Sequence, residues 1–250
     1  MGQRAADNAV YDQLGDRWYS ARDDPIALLR AEARARNPWI AAAIERTFGD
    51  RPCRVLDVGC GGGFLANDLA RRGHAVTGLD TSAEALSVAA AHDASGSARW
   101  VQGDATRPPF EEGSFEVVCA MDLLEHVADF RLVVAGASRV LVPSGLFFFH
   151  TFDRNLAAWL VVIQGVRWFV RNVPRDLHVL RQFVRPPELR AACAENALEV
   201  IEMRGLSPVV GAPLLRLVAT GVVPDDLEFR FTRSLRLGYS GFARRLTRYI

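Results

Sequence analysis

Nothing in this chain constrains its fold more than the stretch from Arg54 to Gly73, where RVLDV runs straight into GCGGG and then into FLANDLARRG. The short apolar run predicts a buried strand. Four glycines in five positions mark a turn that ordinary residues would not need, and the periodic apolar residues that follow, closed by Gly73, predict a helix. A strand that enters a glycine turn and leaves as a helix lets the backbone approach a ligand and offers it free N–H groups. The unit then repeats. AVTGLD (75–80) is the next strand, followed by the helix TSAEALSVAAAH, which Thr81 or Ser82 can cap with Glu84 in its first turn. ARWVQGD (98–104) and FEVVCAMD (115–122) are further strands, RLVVAGASRVL is a helix ended by Pro143 and Gly145, and GLFFFHTF is another strand. This rhythm predicts an α/β fold: a Rossmann-like, mostly parallel sheet with helices on both faces and a ligand at the carboxyl ends of its strands.

Composition bounds the remainder. With 250 residues, half of them hydrophobic and 24% charged, the chain suits one globular domain with elaborations. All 30 basic residues are arginine, which excludes lysine Schiff-base chemistry and a lysine-dependent phosphate loop. Cys53, Cys60, Cys119 and Cys193 have neither disulfide nor zinc spacing. The opening MGQRAADNAV lacks an apolar targeting core, and no run of about 18 apolar residues occurs, so the expected location is cytoplasmic.

The acids around the glycine turn select among nucleotide ligands. Asp80 ends the second strand 21 residues after Gly59, the spacing at which an acid meets ribose hydroxyls, and Asp104 ends the third strand, where it can accept from an adenine amino group. Asp57, inside the first strand, would repel the diphosphate of a nicotinamide dinucleotide but suits the ammonium and sulfonium of S-adenosylmethionine. A glycine turn with no ligand is the bland alternative.

These same residues carry a resemblance. VLDVGCGGGFLANDLARRGHAVTGLD, VQGDA and FEVVCAMDLLEHV resemble the successive motifs of class I S-adenosylmethionine-dependent methyltransferases. RWYS, NPWI and the stretch from DRNLAAWLV to VPRDLHVLRQFVRPPEL are similar to the ubiquinone-biosynthesis O-methyltransferases (the 3-demethylubiquinol 3-O-methyltransferase family), and the resemblance covers about residues 15–205. It implies a seven-stranded sheet with an antiparallel hairpin at one edge, and Gly59, Asp80 and Met121 as contacts to the methyl donor. With Asp57, Gly61, Thr81, Asp104 and Ala105 these make the expected cofactor set. The chain then divides into N-terminal helices or lid (1–50), a cofactor-binding core (51–153), an apolar, arginine-rich insert or lid (154–190) and C-terminal strands that complete the sheet (191–250). Two departures stand out. The family's arginine after the NP pair is Ile40 here, with Arg34 and Arg36 nearby as substitutes, and the family's HYNP-like segment is replaced by SPVVGAPLLRL.

Methyl transfer to a phenol benefits from a base or a cation that makes phenolate. Asp122, Glu125 and His126 follow the fourth strand at i, i+3 and i+4, and would share a face if that turn were helical. One reading is that they hold Mg²⁺, which the resemblance supports; the other is that Glu125 satisfies backbone groups while His126 lines the pocket or acts as base. His150, at the end of the fifth strand, and His178, in VPRDLHVL where a lid could close, are the other catalytic candidates. Cys60 and Cys119 read as small buried residues.

The insert holds seven arginines (154, 167, 171, 175, 181, 185 and 190) against two acids, Asp176 and Glu188, with Trp159 and Trp168 flanking VVIQGVR. Such a segment can lie in a membrane interface and admit a greasy acceptor, or simply close the pocket as a lid. The tail from Leu227 to Ile250 mixes six arginines with Tyr239, Phe242 and Tyr249, which suggests an edge strand or a homodimer contact rather than nucleic-acid binding. The expected function is O-methylation of a hydroxylated aromatic or quinol-like small molecule. The alternatives are a natural-product N-, C- or S-methyltransferase and a non-catalytic cofactor-binding subunit.

Overall fold

Residues 8–174 and 177–247 are described by a computed structural model. The N-terminal residues 1–7, Arg175 and Asp176 of the insert, and Arg248, Tyr249 and Ile250 of the tail lie outside the described residues. Among the described residues eight strands form one sheet: β1 (Arg54–Val58), β2 (Ala75–Asp80), β3 (Arg99–Gln102), β4 (Phe115–Met121), β5 (Leu141–Phe152), β6 (Leu198–Pro208), β7 (Phe229–Thr232) and β8 (Gly238–Arg245), in the order β3-β2-β1-β4-β5-β8-β6-β7. The first five pair in parallel, whereas β8 runs antiparallel between β5 and β6, and β7 lies antiparallel on the outer edge of β6. The eighth strand corrects the expected seven. It comes from FRFT, whose period-two alternation was hidden in an arginine-rich tail. The same tail was expected as an edge strand or oligomer contact, yet only β7 is an edge. Gly238–Arg245 is interior, with Tyr239, Ser240 and Ala243 fully buried.

Helices cover both faces. α1 (Arg17–Ser20) and α2 (Pro25–Phe48) precede the sheet; α3 (Phe64–Arg71), α4 (Ala83–Ala91) and α5 (Phe130–Val140) cross over between its parallel strands. α2 has an apolar stripe, for Ile40, Ala43 and Ile44 are buried against α3 and β1 with Phe148 of β5. Phe147 and Phe149 point to the opposite face, into the core beneath α5. α5 stops at Val140, before the expected breakers Pro143 and Gly145, because β5 begins at once at Leu141.

The insert is helical but not one regular helix. α6 (Leu156–Ala158) opens it under an Asn155 cap, a π-helical stretch spans Trp159–Gly165, and α7 (Val166–Phe169) closes it. α8 (Pro186–Glu195) and α9 (Ala212–Thr220) complete the fold. Val170 of the insert, Leu217 of α9, Val223 and Leu227 pack on Ala27 at the start of α2, so three distant segments meet there.

That junction is anchored by the cap of α2. The Asp24 carboxylate accepts the N–H groups of Ile26 (3.1 Å) and Ala27 (3.4 Å), Pro25 supplies the first helical residue, and Arg17 donates to the other oxygen at 3.0 Å. Asp24→Ala is expected to lower unfolding stability by about 1 kcal/mol, the worth of one such cap; urea denaturation checks it.

Candidate active site

The chain turns sharply at the end of β1. Gly59 and Gly61 have φ values of +68° and +50°, and a Cβ on either would stand within 2.7 Å of Leu123 or 2.6 Å of the Trp18 ring. Beyond the turn, the Gly61 N–H donates to Asp80 Oδ2 at 2.8 Å and the Ser82 N–H to Asp80 Oδ1 at 2.9 Å. Burial raises the Asp80 carboxyl and these N–H groups counter it. A cavity of about 420 Å³ opens here at the carboxyl ends of β1, β2 and β4. Asp57, Gly59, Gly61 and Asp80 line it, and so do Thr81, Asp104, Ala105 and Met121, so the structure brings together every residue expected on the donor side. Asp57 is 3% exposed, and burial followed by the charge of Asp80 pushes its carboxyl up to about 7.

The roof over this cavity comes from the N-terminal segment. The Trp18 indole lies against Gly61 and Gly62, Tyr11 stacks on Trp18 with ring centroids 5.8 Å apart, and the Tyr19 hydroxyl donates to the Gly62 carbonyl at 2.8 Å. The missing Cβ atoms of the glycine turn therefore make room for a tryptophan of this chain as well as for a ligand.

A second cavity, of about 400 Å³, lies beside the first and is almost wholly apolar. Leu160, Val161, Trp168 and Phe169 of the insert form one wall; Leu214, Leu217 and Val218 of α9 and Ile26 and Leu28 of α2 form another. Tyr11, Leu29, Asp122 and His126 line both cavities and mark where they meet. The inner end of the apolar cavity is polar, built from Glu32, Asp122, His126, His150 and His178.

Arg36 organises that end. It donates from both terminal nitrogens to Asp122, at 2.8 Å to Oδ1 and 2.6 Å to Oδ2. Asp122 can meet it because its backbone takes φ of +56°, an unusual value for a residue with a Cβ, which turns the carboxylate out of the line of β4. Burial works to raise the Asp122 carboxyl, but the Arg36 guanidinium outweighs it and holds the group below its ordinary value. Arg34, the other substitute considered for the family arginine, instead donates to the carbonyls of Asp225 and Leu227, and Ile40 is core.

The expected metal set does not converge. Residues 124–126 form a turn and not a helix, so Asp122, Glu125 and His126 share no face. Among the described residues, the sets with ligand atoms all within 4.8 Å of one another are Glu125–His126–His178 and Glu32–Asp122–His150. Glu125 Oε2 accepts from Thr151 at 2.7 Å, and burial with the Asp122 charge pushes its carboxyl up to about 8. His126 and His178 face each other with ring centroids 5.3 Å apart; burial lowers them to about 4 and about 3, so both are neutral at ordinary pH. His150 has no exposed surface, its Nδ1 is 2.8 Å from Ser240 Oγ, and burial followed by Arg36 lowers it to about 3.

Sequence reasoning missed Tyr11, Trp18, Glu32 and Ser240. Trp18 lay within RWYS, one of the stretches that carry the resemblance, and Glu32 carried a signal in its i,i+4 spacing from Arg36 on an alanine-rich helix. Cys60 and Cys119 are buried with thiols pushed well up by desolvation, in keeping with small packing residues.

Comparison with known proteins agrees with this geometry. The methyltransferase domain family matches residues 56–149. A ubiquinone biosynthesis O-methyltransferase of Erwinia tasmaniensis is 37% identical over 204 residues, covering 79% of this chain and 81% of that protein. The enzyme of the same description from Aromatoleum aromaticum is 33% identical over 210 residues, covering 83% and 88%. Among solved structures, a SAM-dependent methyltransferase from Methanosarcina mazei superposes with a TM-score of 0.57 at 20% identity, over 82% of this chain and 98% of that one.

The buried acids leave a signature in stability. Glu32 and Glu125 hold protons in the folded chain up to about 8, whereas the unfolded chain releases them near 4.5. Folding therefore loses stability as pH rises towards 8 and levels off above it. The histidines act only below their ordinary 6.5, where the unfolded chain takes up protons that the folded one refuses. Between about pH 6.5 and about pH 8.5 the melting temperature is thus expected to fall, and Glu32→Gln with Glu125→Gln should flatten the slope; thermal melts across that range check it.

Proposed function

The chain belongs to the S-adenosylmethionine-dependent methyltransferases, in the family of the ubiquinone biosynthesis O-methyltransferases, and from this we propose that it methylates a hydroxyl oxygen of a quinol-like aromatic carrying an apolar tail. The observation that carries this reading is the meeting of an acid-lined cavity with an almost wholly apolar one across Tyr11, Leu29, Asp122 and His126. The first suits a nucleoside with a cationic amino-acid end and the second a greasy acceptor.

S-adenosylmethionine, when bound, supplies a methyl group already activated on a sulfonium. The chain must hold, orient and keep out water. Asp80 is placed to accept from the ribose hydroxyls; Asp104 and Ala105 with Thr81 flank the base; Asp57, Gly59 and Gly61 face the amino-acid end, and Met121 lines the donor cavity with them. His126, neutral and the one histidine of the described residues that lines both cavities, takes the proton of the acceptor hydroxyl. His178 packs against it and His150 stands on the acceptor side. Magnesium does not fit this site. In one of the two converging sets Asp122 is engaged by Arg36, and the other offers two imidazole nitrogens and a single carboxyl, whereas magnesium selects a shell of oxygen ligands.

The acceptor cavity bears on the membrane reading of the insert. No helix of the described residues is long and apolar enough to cross a bilayer. Its rim, however, carries exposed Leu160, Val161, Trp168 and Phe169, with Leu156 74% exposed beside them. Arg167 stands among these residues. This pattern supports peripheral contact with an anionic lipid surface, from which a tailed acceptor would enter.

Two measurements test the proposal. In a methyl-transfer assay on a tailed quinol, His126→Phe is expected to lower turnover by about 10²-fold or more while leaving donor affinity within a few-fold of the parent, and EDTA should leave the parent enzyme unaffected. No turnover of any phenol or quinol by the parent enzyme would reject the acceptor class. The protein should also pellet with anionic liposomes at low salt and be released as salt rises; failure to pellet at low salt would remove the membrane contact.

A further inference from the structure

The carboxylate of the methyl donor lacks the receptor that the resemblance leads one to expect. An arginine is expected at position 40, and the chain has Ile40 there, fully buried in the core. The glycine turn does not replace it. The N–H groups of Gly59 and Cys60 donate to the Leu79 carbonyl at 2.7 and 3.2 Å, that of Gly61 to Asp80 at 2.8 Å and that of Gly63 to the Cys60 carbonyl at 2.9 Å. Asp12, Asp57, Asp80, Asp104 and Asp122 also line the donor cavity, so most of its wall repels an anion.

Two donors of that wall remain. Arg36 Nε and Trp18 Nε1 have no hydrogen-bond partner, although the two residues are only 4% and 5% exposed. Both residues line the donor cavity and neither lines the apolar one. The terminal nitrogens of Arg36 serve Asp122, and one of them lies 3.4 Å from Glu32, so the Nε–H is the part of the guanidinium still to be satisfied.

We propose that Arg36 Nε and Trp18 Nε1 together receive the carboxylate of S-adenosylmethionine, in place of the arginine that Ile40 displaces. The proposal rests on the donor reading given above. Its first support is chemistry: both groups only donate, so the partner they lack is an acceptor, and a carboxylate can take one N–H on each oxygen. The second is charge. Among the described residues that line the donor cavity Arg36 is the one cationic side chain, since His126 is neutral. The third is position. α2 carries Arg36 one turn before Ile40, the Trp18 ring lies against Gly61 and Gly62, and the Arg36 charge acts on Asp57, which faces the donor's ammonium. The ammonium and the carboxylate sit on one carbon of the donor, so their receptors must be neighbours.

Calorimetry on the full chain tests this with S-adenosylhomocysteine and with its decarboxylated analogue, which keeps the amine, the thioether and the nucleoside. The parent is expected to bind S-adenosylhomocysteine about tenfold or more tightly than the analogue. Trp18→Phe, which keeps an aromatic ring but has no N–H, and Arg36→Lys, which keeps a cation opposite Asp122 but has no donor at the ε position, should each narrow that preference and leave the analogue's affinity unchanged. In the parent, the Trp18 indole N–H proton resonance should move downfield with S-adenosylhomocysteine and not with the analogue, a reading that needs no variant. Equal affinity of the parent for the two ligands overturns the carboxylate receptor while the donor reading stands; an undiminished preference in either variant, or an unmoved indole resonance, does the same. Binding of neither ligand by the parent would bring down both.

Discussion

The pairing of Arg36 with Asp122 is the interaction on which the architecture of the site depends. It ties a helix that precedes the sheet to the carboxyl end of a central strand, and both partners are withdrawn from water. Such a pair returns little net stability, because the desolvation of two charges offsets most of their attraction. What it provides here is placement. With Asp122 in a left-handed backbone conformation, the guanidinium engages both of its carboxylate oxygens and balances its charge at the polar end of the acceptor cavity.

The two cavities are made by different parts of the chain. The donor side is local: β1, its glycine turn, and the ends of β2 and β4 supply it, with side chains whose spacing in the sequence follows from strand and helix lengths. The acceptor side is assembled from α2, the helical insert and α9, segments nearly 190 residues apart that meet at one small apolar cluster. SPVVGAPLLRL, which differs from the segment the resemblance leads one to expect, contributes α9, so this departure falls on the wall that shapes the acceptor cavity.

This division explains what could be read in the sequence. Gly59, Gly61, Asp80, Asp104 and their neighbours were legible because a strand–turn–helix unit fixes where each points. Asp122, Glu125 and His126 were misjoined because an i,i+3,i+4 pattern has meaning only on a helix, and the chain makes a turn there. Glu32 and Ser240 carried no chemistry visible in isolation. Their importance comes from β5 and β8 lying side by side and from α2 crossing above them, contacts between residues about 90 and 120 positions apart. The interior place of β8 was hidden for the same reason: a basic, aromatic tail looks like an edge until its strand neighbours are known.

The indole seated on the glycine turn ties the two binding regions to one short segment. Trp18 and Tyr11 together wall one side of the donor cavity, and Tyr11 also belongs to the acceptor cavity, so a change in the packing of this aromatic pair alters the shape of both at once.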